Sequence, residues 1–328
     1  MRSRDFGRTG RKVSEIGFGA WAIGASWGHV DESDALAALH QTLDAGVTFL
    51  DTADVYGDGR SEQLIARVLK ERGGDRPFVA TKTGRRLPKQ EVAGYSLETM
   101  SGFIDRSLQN LQVDTLDLVQ LHCPPTDLYY HPEVFGFLDR LVERGKIRHY
   151  GVSVERVEEA LKAIEYPGVQ SIQIIFNIFR QRPAERLFAL AQEKQVAIIA
   201  RVPLASGLLS GKFRSDTRFE STDHRQFNRN GEAFDVGETF SGVPYETGLA
   251  AVERVRPLVG GDTTMARFAL RWILMFDAVT VAIPGARNGA QAKSNAEAAA
   301  LPALPAATMA ELRAIYDQDI KPFVHQRW

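Results

Sequence analysis

The feature of this sequence that most limits its fold is a regular alternation between short apolar segments and longer amphipathic ones. Eight short segments are rich in Val, Ile, Leu and Phe, and most are apolar at consecutive positions rather than at every second one. That pattern is typical of parallel strands covered on both faces. The predicted strands are Ile16–Gly19, Val47–Asp51, Phe78–Lys82, Leu116–His122, Ile147–Ser153, Ser171–Ile175, Val196–Arg201 and Val279–Pro284.

The segments between these strands carry apolar residues at helical spacing. We expect Asp31, with Asp34, to open the first helix and Ser61 to cap the second, and we predict the third helix at Ser96–Leu111. Strand and helix repeated eight times through right-handed crossovers predict an α/β fold, a (β/α)8 TIM barrel, as one domain over residues 1–328. The later helices are predicted at Phe135–Arg144, Val157–Ile164, Ala184–Glu193, Met265–Phe276 and Gln291–Ala299.

Two segments lie outside this repeat. The residues before Ile16 contain two glycines in polar surroundings and predict an N-terminal hairpin that closes the barrel floor. The long loop after the seventh strand, Gly211–Tyr245, is rich in glycine and charge. Loops of this length are usually lids, binding loops or insertions. We favour a lid, and a simple insertion stays open.

The overall composition excludes several classes of protein. The 328 residues carry a formal charge of −1 without a basic block, so a nucleic-acid partner is not expected. No apolar stretch is long enough for a bilayer, and the N-terminus lacks the pattern of a secretory signal. Cys123 is the single cysteine, and the histidines lack a metal-binding spacing. We therefore expect a cytoplasmic protein without a membrane partner or catalytic metal.

A Rossmann domain is the rival architecture. Residues 17–22 match the pattern G-x-G-x-x-A. In a Rossmann turn, however, the helix begins at the glycines and an acidic residue follows about 20 positions later. Here the helical pattern begins near Asp31, and Asp51 is the acidic residue at the end of the next strand. We interpret the match as accidental.

Polar residues end six of the predicted strands. Active sites of β/α barrels are built at the carboxyl ends of the strands, so these positions have extra weight. Any one of them alone is compatible with a structural role, such as capping the next helix. Six together predict an active site at the barrel mouth. They are Asp51, Lys82, His122, Ser153, Gln173 and Arg201.

Tyr56 follows Asp51 closely enough to stay beside the same strand end. A buried tyrosine needs a partner for its hydroxyl, and Lys82 on the neighbouring strand can provide one. The ammonium favours the phenolate and lowers the tyrosine pKa from about 10, while Asp51 holds the ammonium in place. These three residues predict a proton-delivery relay; the alternative is a structural ion pair with an incidental tyrosine.

These residues belong to motifs that resemble the aldo-keto reductase superfamily nearly from end to end. The motifs are Gly46–Gly57, Thr81–Lys82, Leu118–His122, Gly145–Ser153 and Pro203–Lys212. The resemblance implies an eight-stranded β/α barrel and hydride transfer between NADP(H) and a small-molecule carbonyl or alcohol. It also implies that Tyr56 is the general acid, that Lys82 and Asp51 tune its pKa, and that His122 orients the carbonyl.

The resemblance also implies a cofactor site. Residues 283–295 are similar to the segment that binds the adenosine 2′-phosphate, where a glycine-rich turn enters a helix N-terminus and Arg287 offers a bidentate guanidinium. A solvated surface charge is the alternative for Arg287. The implied cofactor-binding residues are Gly19, Ala20, Trp21, Asp51, Ser153, Gln173, Arg201, Leu204, Ser206, Gly207, Leu209, Lys212, Gly285, Arg287, Gln291 and Asn295.

Two positions differ from the common family pattern. Val154 stands where asparagine is usual, and Arg201 replaces an aromatic residue that stacks on the nicotinamide. A guanidinium plane can also stack on a ring, or it can bind an anionic substrate, and both roles stay open. The implied substrate contacts are Trp21, Tyr56 and His122. Further candidates for the substrate wall are Trp27, Tyr129, Tyr130 and Trp328.

Three other functions stay open. The same site run in the oxidative direction would make the protein a sugar or polyol dehydrogenase. Resemblance to channel-associated members of the superfamily allows an NADP-sensing regulatory subunit. A metal-dependent barrel hydrolase is the third, which metal analysis would test. Our first prediction is an NADPH-dependent reductase of aldehydes or ketones.

Overall fold

The structure is a computed structural model that describes residues 1–24, 27–261 and 263–328. A two-stranded antiparallel hairpin precedes a sheet of eight parallel strands, whose order from β3 to β10 follows the chain. The strands are β1 (Ser3–Asp5), β2 (Lys12–Ser14), β3 (Phe18–Gly19), β4 (Phe49–Asp51), β5 (Phe78–Thr83), β6 (Leu116–His122), β7 (Ile147–Ser153), β8 (Val169–Ile175), β9 (Ala197–Arg201) and β10 (Val279–Ala282).

Short contacts between the two edge strands close the sheet into a barrel. Parallel bridges join Ile16 to Ala282 and Gly19 to Gly285. A Cβ atom on Gly19 would lie 2.7 Å from the carbonyl oxygen of Ile283, so the chain needs glycine at this seam. The predicted eight-stranded β/α barrel is therefore confirmed.

Helices occupy the outside of the barrel and its mouth. Within the described residues they are α1 (Trp21–Gly24), α2 (Glu32–Asp44), α3 (Arg60–Arg72), α4 (Leu97–Leu111), α5 (Pro132–Glu143), α6 (Val157–Ala163), α7 (Leu187–Glu193), α8 (His224–Phe227), α9 (Tyr245–Val255), α10 (Met265–Leu274), α11 (Gly289–Glu297), α12 (Ala306–Ile315) and α13 (Lys321–Val324). Each of these helices is too short or too polar to cross a bilayer.

The predicted helix starts agree with the structure to different degrees. The helix predicted from Ser96 begins at Leu97, and the Ser96 side chain caps it by accepting a hydrogen bond from the Thr99 amide. Asp31 occupies the N-cap position of α2 but makes no side-chain cap bond. The prediction for Ser61 was wrong, because α3 begins one residue earlier and Ser61 is buried inside it, with its hydroxyl 2.8 Å from that of Thr52.

The N-terminal hairpin closes the barrel floor, as predicted. Phe6, in the turn between β1 and β2, is fully buried. Its ring lies 5.4 Å from that of Phe49 and 5.0 Å from that of Phe78, centroid to centroid. The lower interior is therefore apolar, and the polar side chains of the interior collect at the opposite end, where the strands end.

Candidate active site

Three of the predicted residues meet at the ends of β4 and β5. The buried Lys82 ammonium donates to a carboxylate oxygen of Asp51, to the Thr52 carbonyl at 2.8 Å and to the Tyr56 hydroxyl at 3.4 Å. The two strands are parallel neighbours, with Asp51 paired to Ala80, so Lys82 lies just beyond the end of β4. The chain that leaves β4 places the Tyr56 ring beside the Lys82 ammonium, which lies 5.1 Å from the ring centroid. The ammonium thus joins the carboxylate to the phenol.

Two amides hold the second oxygen of Asp51. Gln173 donates to Oδ2 at 2.7 Å and Gln120 donates to it at 3.2 Å, and both side chains are buried. Gln173 had been expected to bind cofactor, whereas Gln120 was missed. Gln120 precedes His122 by two positions on β6, so strand periodicity could have placed both on the same face. The carboxylate is thereby fixed by side chains from three other strands, β5, β6 and β8.

The electrostatics of this relay differ in part from the expectation. Burial raises the pKa of Tyr56 above its usual value near 10, and it outweighs Lys82, which acts in the opposite direction. Burial also acts to lower the pKa of Lys82, but Asp51 and Tyr56 outweigh it and raise that pKa. At neutral pH the tyrosine is therefore protonated and the lysine charged, which is the protonation state a proton donor needs.

His122 lies against Tyr56 on the cavity side. The two rings meet edge to face, with centroids 5.9 Å apart and an interplanar angle of 82°. Burial lowers the pKa of His122 well below its usual value, with further contributions from the charges of Arg85, Lys82 and Arg201. The imidazole is therefore neutral and can donate one hydrogen bond. Within the described parts of the chain, its Nδ1 atom has no hydrogen-bond partner.

A cavity of about 660 Å³ opens at this mouth, a volume typical of small-molecule and cofactor sites. Asp51, Tyr56 and His122 line it, whereas Lys82 lies behind them. Ala20 and Leu209, expected to bind cofactor, are buried behind the wall. The other expected cofactor residues line the cavity, namely Gly19, Trp21, Asp51, Ser153, Gln173, Arg201, Leu204, Ser206, Gly207, Lys212, Gly285, Arg287, Gln291 and Asn295.

Aromatic rings form the cavity wall nearest Tyr56. Trp21 stacks on Tyr56 with centroids 6.2 Å apart, and Trp27 meets Trp21 edge to face at 5.4 Å. His224 lies 4.7 Å from Trp21, centroid to centroid. Of the other expected wall residues, Tyr129 is buried in the core, and neither it nor Tyr130 nor Trp328 lines the cavity. The cavity wall beside Tyr56 is therefore largely aromatic.

The opposite end of the cavity is polar. Helix α11 begins at Gly289, capped by Asn288, and directs its N-terminus toward the preceding glycine-rich turn. The Arg287 guanidinium donates to the His29 carbonyl at 2.7 Å, and the Arg287 amide donates to the Gln291 side chain at 2.9 Å. Lys212 is exposed and makes no ion pair with any described residue. The donors at this end suit phosphate groups.

The long loop after β9 lies across this cavity. We call residues 211–245 the covering segment. It contains α8 and several short turns, and it lines the cavity through Lys212, Phe213, Thr217, Arg218, Phe219, Arg225 and Glu238. The hydroxyl of Ser206 donates to the Glu238 carbonyl and accepts from the Phe240 amide, both at 3.0 Å. The segment thus forms part of the cavity wall, and its role as a lid stays a prediction.

Arg201 is held by two carboxylates and a carbonyl. Its guanidinium donates to Glu155 at 2.8 Å and to the Val154 carbonyl at 3.1 Å, and it lies 3.8 Å from Glu238. Arg85 pairs with the same two glutamates. The contact with residue 154 is made by its backbone carbonyl and so does not depend on the valine side chain. Sequence reasoning missed both glutamates and Arg85, because they come from separate loops and share no motif.

This arrangement also brings together three residues whose side chains could bind a metal ion. Among the described residues, Cys123, Glu155 and Glu238 form the one group whose ligand atoms lie within 4.8 Å of one another. Arg85 and Arg201 already pair with both carboxyl groups. Burial also raises the pKa of Cys123 to about 12, so its thiol is protonated at neutral pH. This chemistry favours an ion-pair cluster over a metal centre.

Comparison with known proteins gives matches along most of the chain. The sequence model of the Aldo/keto reductase family matches residues 15–317. Aldo-keto reductase YhdN of Bacillus subtilis (strain 168) is 30% identical over 292 residues, 88% of this chain and 86% of that protein. A relative from Schizosaccharomyces pombe is aldo-keto reductase yakc, whose name specifies NADP(+). It is 27% identical over 284 residues, 84% of this chain and 81% of that protein.

Solved structures share the same architecture. The holo form of aldo-keto reductase AKR11C1 from Bacillus halodurans superposes with a TM-score of 0.76 at 27% identity, covering 96% of both chains. Glycerol dehydrogenase AKR11B4 from Gluconobacter oxydans superposes with a TM-score of 0.72 at 28% identity, covering 94% of this chain and 93% of that one. The structural similarity thus extends over nearly the whole chain.

Proposed function

This chain belongs to the aldo/keto reductase family, and we propose that it is an NADP(H)-dependent oxidoreductase that reduces an aldehyde or ketone to an alcohol. The observation that carries this proposal is the contact of the Tyr56 hydroxyl with the Lys82 ammonium, at the edge of a cavity that Tyr56 itself lines. A protonated phenol beside a fixed cation can deliver a proton to a substrate oxygen.

The four residues have distinct roles in this proposal. Tyr56 donates the proton, and the Lys82 ammonium stabilises the phenolate that remains. Asp51 keeps the ammonium charged and in place, which its two glutamine partners reinforce. Neutral His122 donates a hydrogen bond that orients the substrate carbonyl toward Tyr56. The aromatic wall formed by Trp21 and Trp27 excludes water from the reacting carbonyl.

The residues around the cavity fit a dinucleotide with a 2′-phosphate. A bound nicotinamide would supply the hydride in reduction and accept it in oxidation. Arg287 and the N-terminus of α11 would hold the 2′-phosphate, and Lys212 offers an unpaired cation for the pyrophosphate. Members of this family use nicotinamide cofactors, and the name of one relative specifies NADP(+). We propose the cytoplasm as the compartment of the reaction.

The oxidative direction is the second candidate. One solved relative is titled a glycerol dehydrogenase, and the same site can act in reverse with Tyr56 as the base. For Arg201, the contacts of its guanidinium with Glu155 and Glu238 favour a place next to the cofactor ring over a role in binding an anionic substrate.

A substrate panel tests the proposal. Purified protein is mixed with NADPH and a series of aldehydes, ketones, sugars and ring-shaped carbonyls, and consumption of NADPH is followed by its absorbance. Alcohols and polyols with NADP⁺ test the reverse direction, and NADH and NAD⁺ replace the phosphorylated cofactors in parallel. We expect faster turnover with NADPH than with NADH for at least one aldehyde. A protein that binds NADPH tightly but turns over none of these compounds in either direction would instead support a cofactor-sensing role.

A further inference from the structure

Four charged side chains form a buried network beside the proposed reaction site. Arg85 follows β5, Glu155 follows β7, Arg201 ends β9, and Glu238 comes from the covering segment. Their side chains are 22%, 12%, 9% and 6% exposed, so little water reaches them. We call these four residues the arginine–glutamate network. Each member comes from a different loop or strand end, so the network ties the covering segment to the barrel mouth.

The network faces the cavity. Arg201 and Glu238 line the same cavity as Tyr56 and His122. The charges of Arg85 and Arg201 help lower the pKa of His122, so their field reaches the position where the substrate carbonyl would bind. Arginine does not lose its proton in proteins, so the number of protons on the two carboxyl groups sets the charge of the network. It is neutral when both are ionised and +1 when one is protonated.

Only one of the two carboxyl groups is poised to hold a proton. Burial disfavours the charged form of Glu238, but Arg85 and Arg201 outweigh it and lower its pKa to about 2. Burial raises the pKa of Glu155 to about 8, and the neighbouring Glu238 charge acts in the same direction, against Arg201. The geometry also brings the two carboxyl groups together, with oxygen atoms within 4.8 Å of each other, so each charge disfavours the other. The Oε1 atom of Glu155 lies 3.5 Å from the Arg85 guanidinium and accepts no hydrogen bond from any described residue.

Several groups surround Glu155 and enter its titration. Arg201, Arg85 and Glu238 contribute most directly, through the contacts given above. Four further titratable or charged groups lie on the elements packed around Glu155. They are Cys123 and Tyr129, which follow β6, Glu159 on α6, and Arg180, which follows β8. Glu159 accepts a hydrogen bond from the Glu155 amide at 2.9 Å and fixes the backbone there.

We propose that Glu155 is the proton-exchanging member of the arginine–glutamate network, and that its ionisation sets how strongly the cavity prefers reduced over oxidised nicotinamide cofactor. The inference rests on the proposed function, because it assumes that this cavity binds NADP(H). The oxidised ring is a cation and the reduced ring is neutral. A network of charge +1 disfavours the cation, whereas a neutral network does not. Glu155 is thus a positioning and selectivity residue that need not touch the substrate.

The direct test is the ratio of two dissociation constants, Kd for NADP⁺ divided by Kd for NADPH, measured by calorimetry or fluorescence from about pH 6.5 to about pH 9.5. Both cofactors carry the same phosphates, so the ratio removes the phosphate titration. In the wild-type protein we expect the ratio to fall as pH rises through about 8, where Glu155 ionises. The fall should be on the order of tenfold, the effect of one charge about 10 Å away at an effective dielectric constant of about 20.

Two variants separate Glu155 from other groups that titrate nearby. Glu155→Gln keeps the network at +1, so its ratio should stay at the low-pH value of the wild type throughout the range. Glu158→Gln removes the same charge from an exposed position paired with Arg182, and it should keep the wild-type profile. Circular dichroism establishes that each variant is folded.

The outcomes discriminate clearly. A wild-type ratio that does not change with pH overturns the proposal, and this measurement needs no variant. A Glu155→Gln protein that retains the wild-type pH dependence overturns it as well. If neither cofactor binds at any pH, the proposed function fails and this inference fails with it. Binding of both cofactors with a flat ratio overturns the selectivity role alone.

Discussion

Removing the charge of Lys82 should destabilise the fold far more than removing the charges of Lys82 and Asp51 together. Lys82 is 1% exposed, and its ammonium contacts Asp51, the Thr52 carbonyl and the Tyr56 hydroxyl. Lys82→Met fills nearly the same volume, so no large cavity arises, but it leaves the Asp51 carboxylate buried without its counter-ion. Breaking a buried pair in this way costs about 3–5 kcal/mol.

The double variant Lys82→Met/Asp51→Asn should regain much of this loss. The introduced asparagine side chain would still offer an oxygen to the amides of Gln120 and Gln173, and no charge would be left buried. Replacing both charges of a buried pair is often close to neutral, so we expect the double variant within about 2 kcal/mol of the wild type. Asp51→Asn alone leaves the Lys82 ammonium buried without its counter-ion and should also cost about 3–5 kcal/mol. The coupling energy, which is the sum of the two single losses less the loss in the double variant, should therefore exceed about 2 kcal/mol.

Chemical denaturation with urea measures these free energies of unfolding. Arg67→Met is the matched control, because Arg67 pairs with Glu71 at the surface, where both side chains are about half exposed. Its loss should cost no more than about 0.5 kcal/mol. Losses at Lys82 and Asp51 that simply add in the double variant would refute the argument that burial makes the two charges depend on each other.

Three further predictions concern other parts of the chain. Arg287→Met should weaken NADPH binding by roughly tenfold or more and leave NADH binding unchanged. The control Arg140→Met, at an exposed position on α5 that does not line the cavity, should alter neither. Equal losses for both cofactors would contradict the 2′-phosphate assignment. Trp328→Ala should cost about 3–5 kcal/mol in thermal or urea unfolding, because the indole is 3% exposed, whereas Phe323→Ala, 42% exposed, should cost under about 1 kcal/mol. Burial raises the pKa of Asp54 to about 7, above its unfolded value near 3.9, so the stability it contributes is complete below about pH 4 and is lost as pH rises through 7. Asp54→Asn should remove about 2–3 kcal/mol of that loss between pH 5 and pH 8. A pH dependence of unfolding that the substitution leaves unchanged would exclude Asp54 as its source.

The strands could be predicted because their apolar runs end at clear turns. The bounds predicted for β6 and β7 agree with the structure at every residue. Agreement is poorer at the seam, where β3 and β10 are shorter than predicted because isolated bridges replace a regular ladder there. Helices α9, α12 and α13 were not predicted, because they lie outside the strand–helix repeat from which the barrel was inferred.

The candidate site could be predicted where its residues end strands, and not where long loops meet. Asp51, Lys82 and His122 occupy strand ends, so their convergence followed from the fold class. Glu238 pairs with Arg85 and Arg201 only because the covering segment folds back across the mouth. No local pattern encodes such a pairing, since it depends on tertiary packing.

Tyr56→Phe tests the central claim most directly. The substitution removes a single hydroxyl, while the aromatic ring that stacks beside Trp21 stays. NADPH binding, measured by fluorescence titration, should stay within about twofold of the wild type, and kcat for a reactive aldehyde should fall by about 10² to 10⁴. A variant that binds NADPH and retains a kcat close to that of the wild type would show that Tyr56 is not the proton donor.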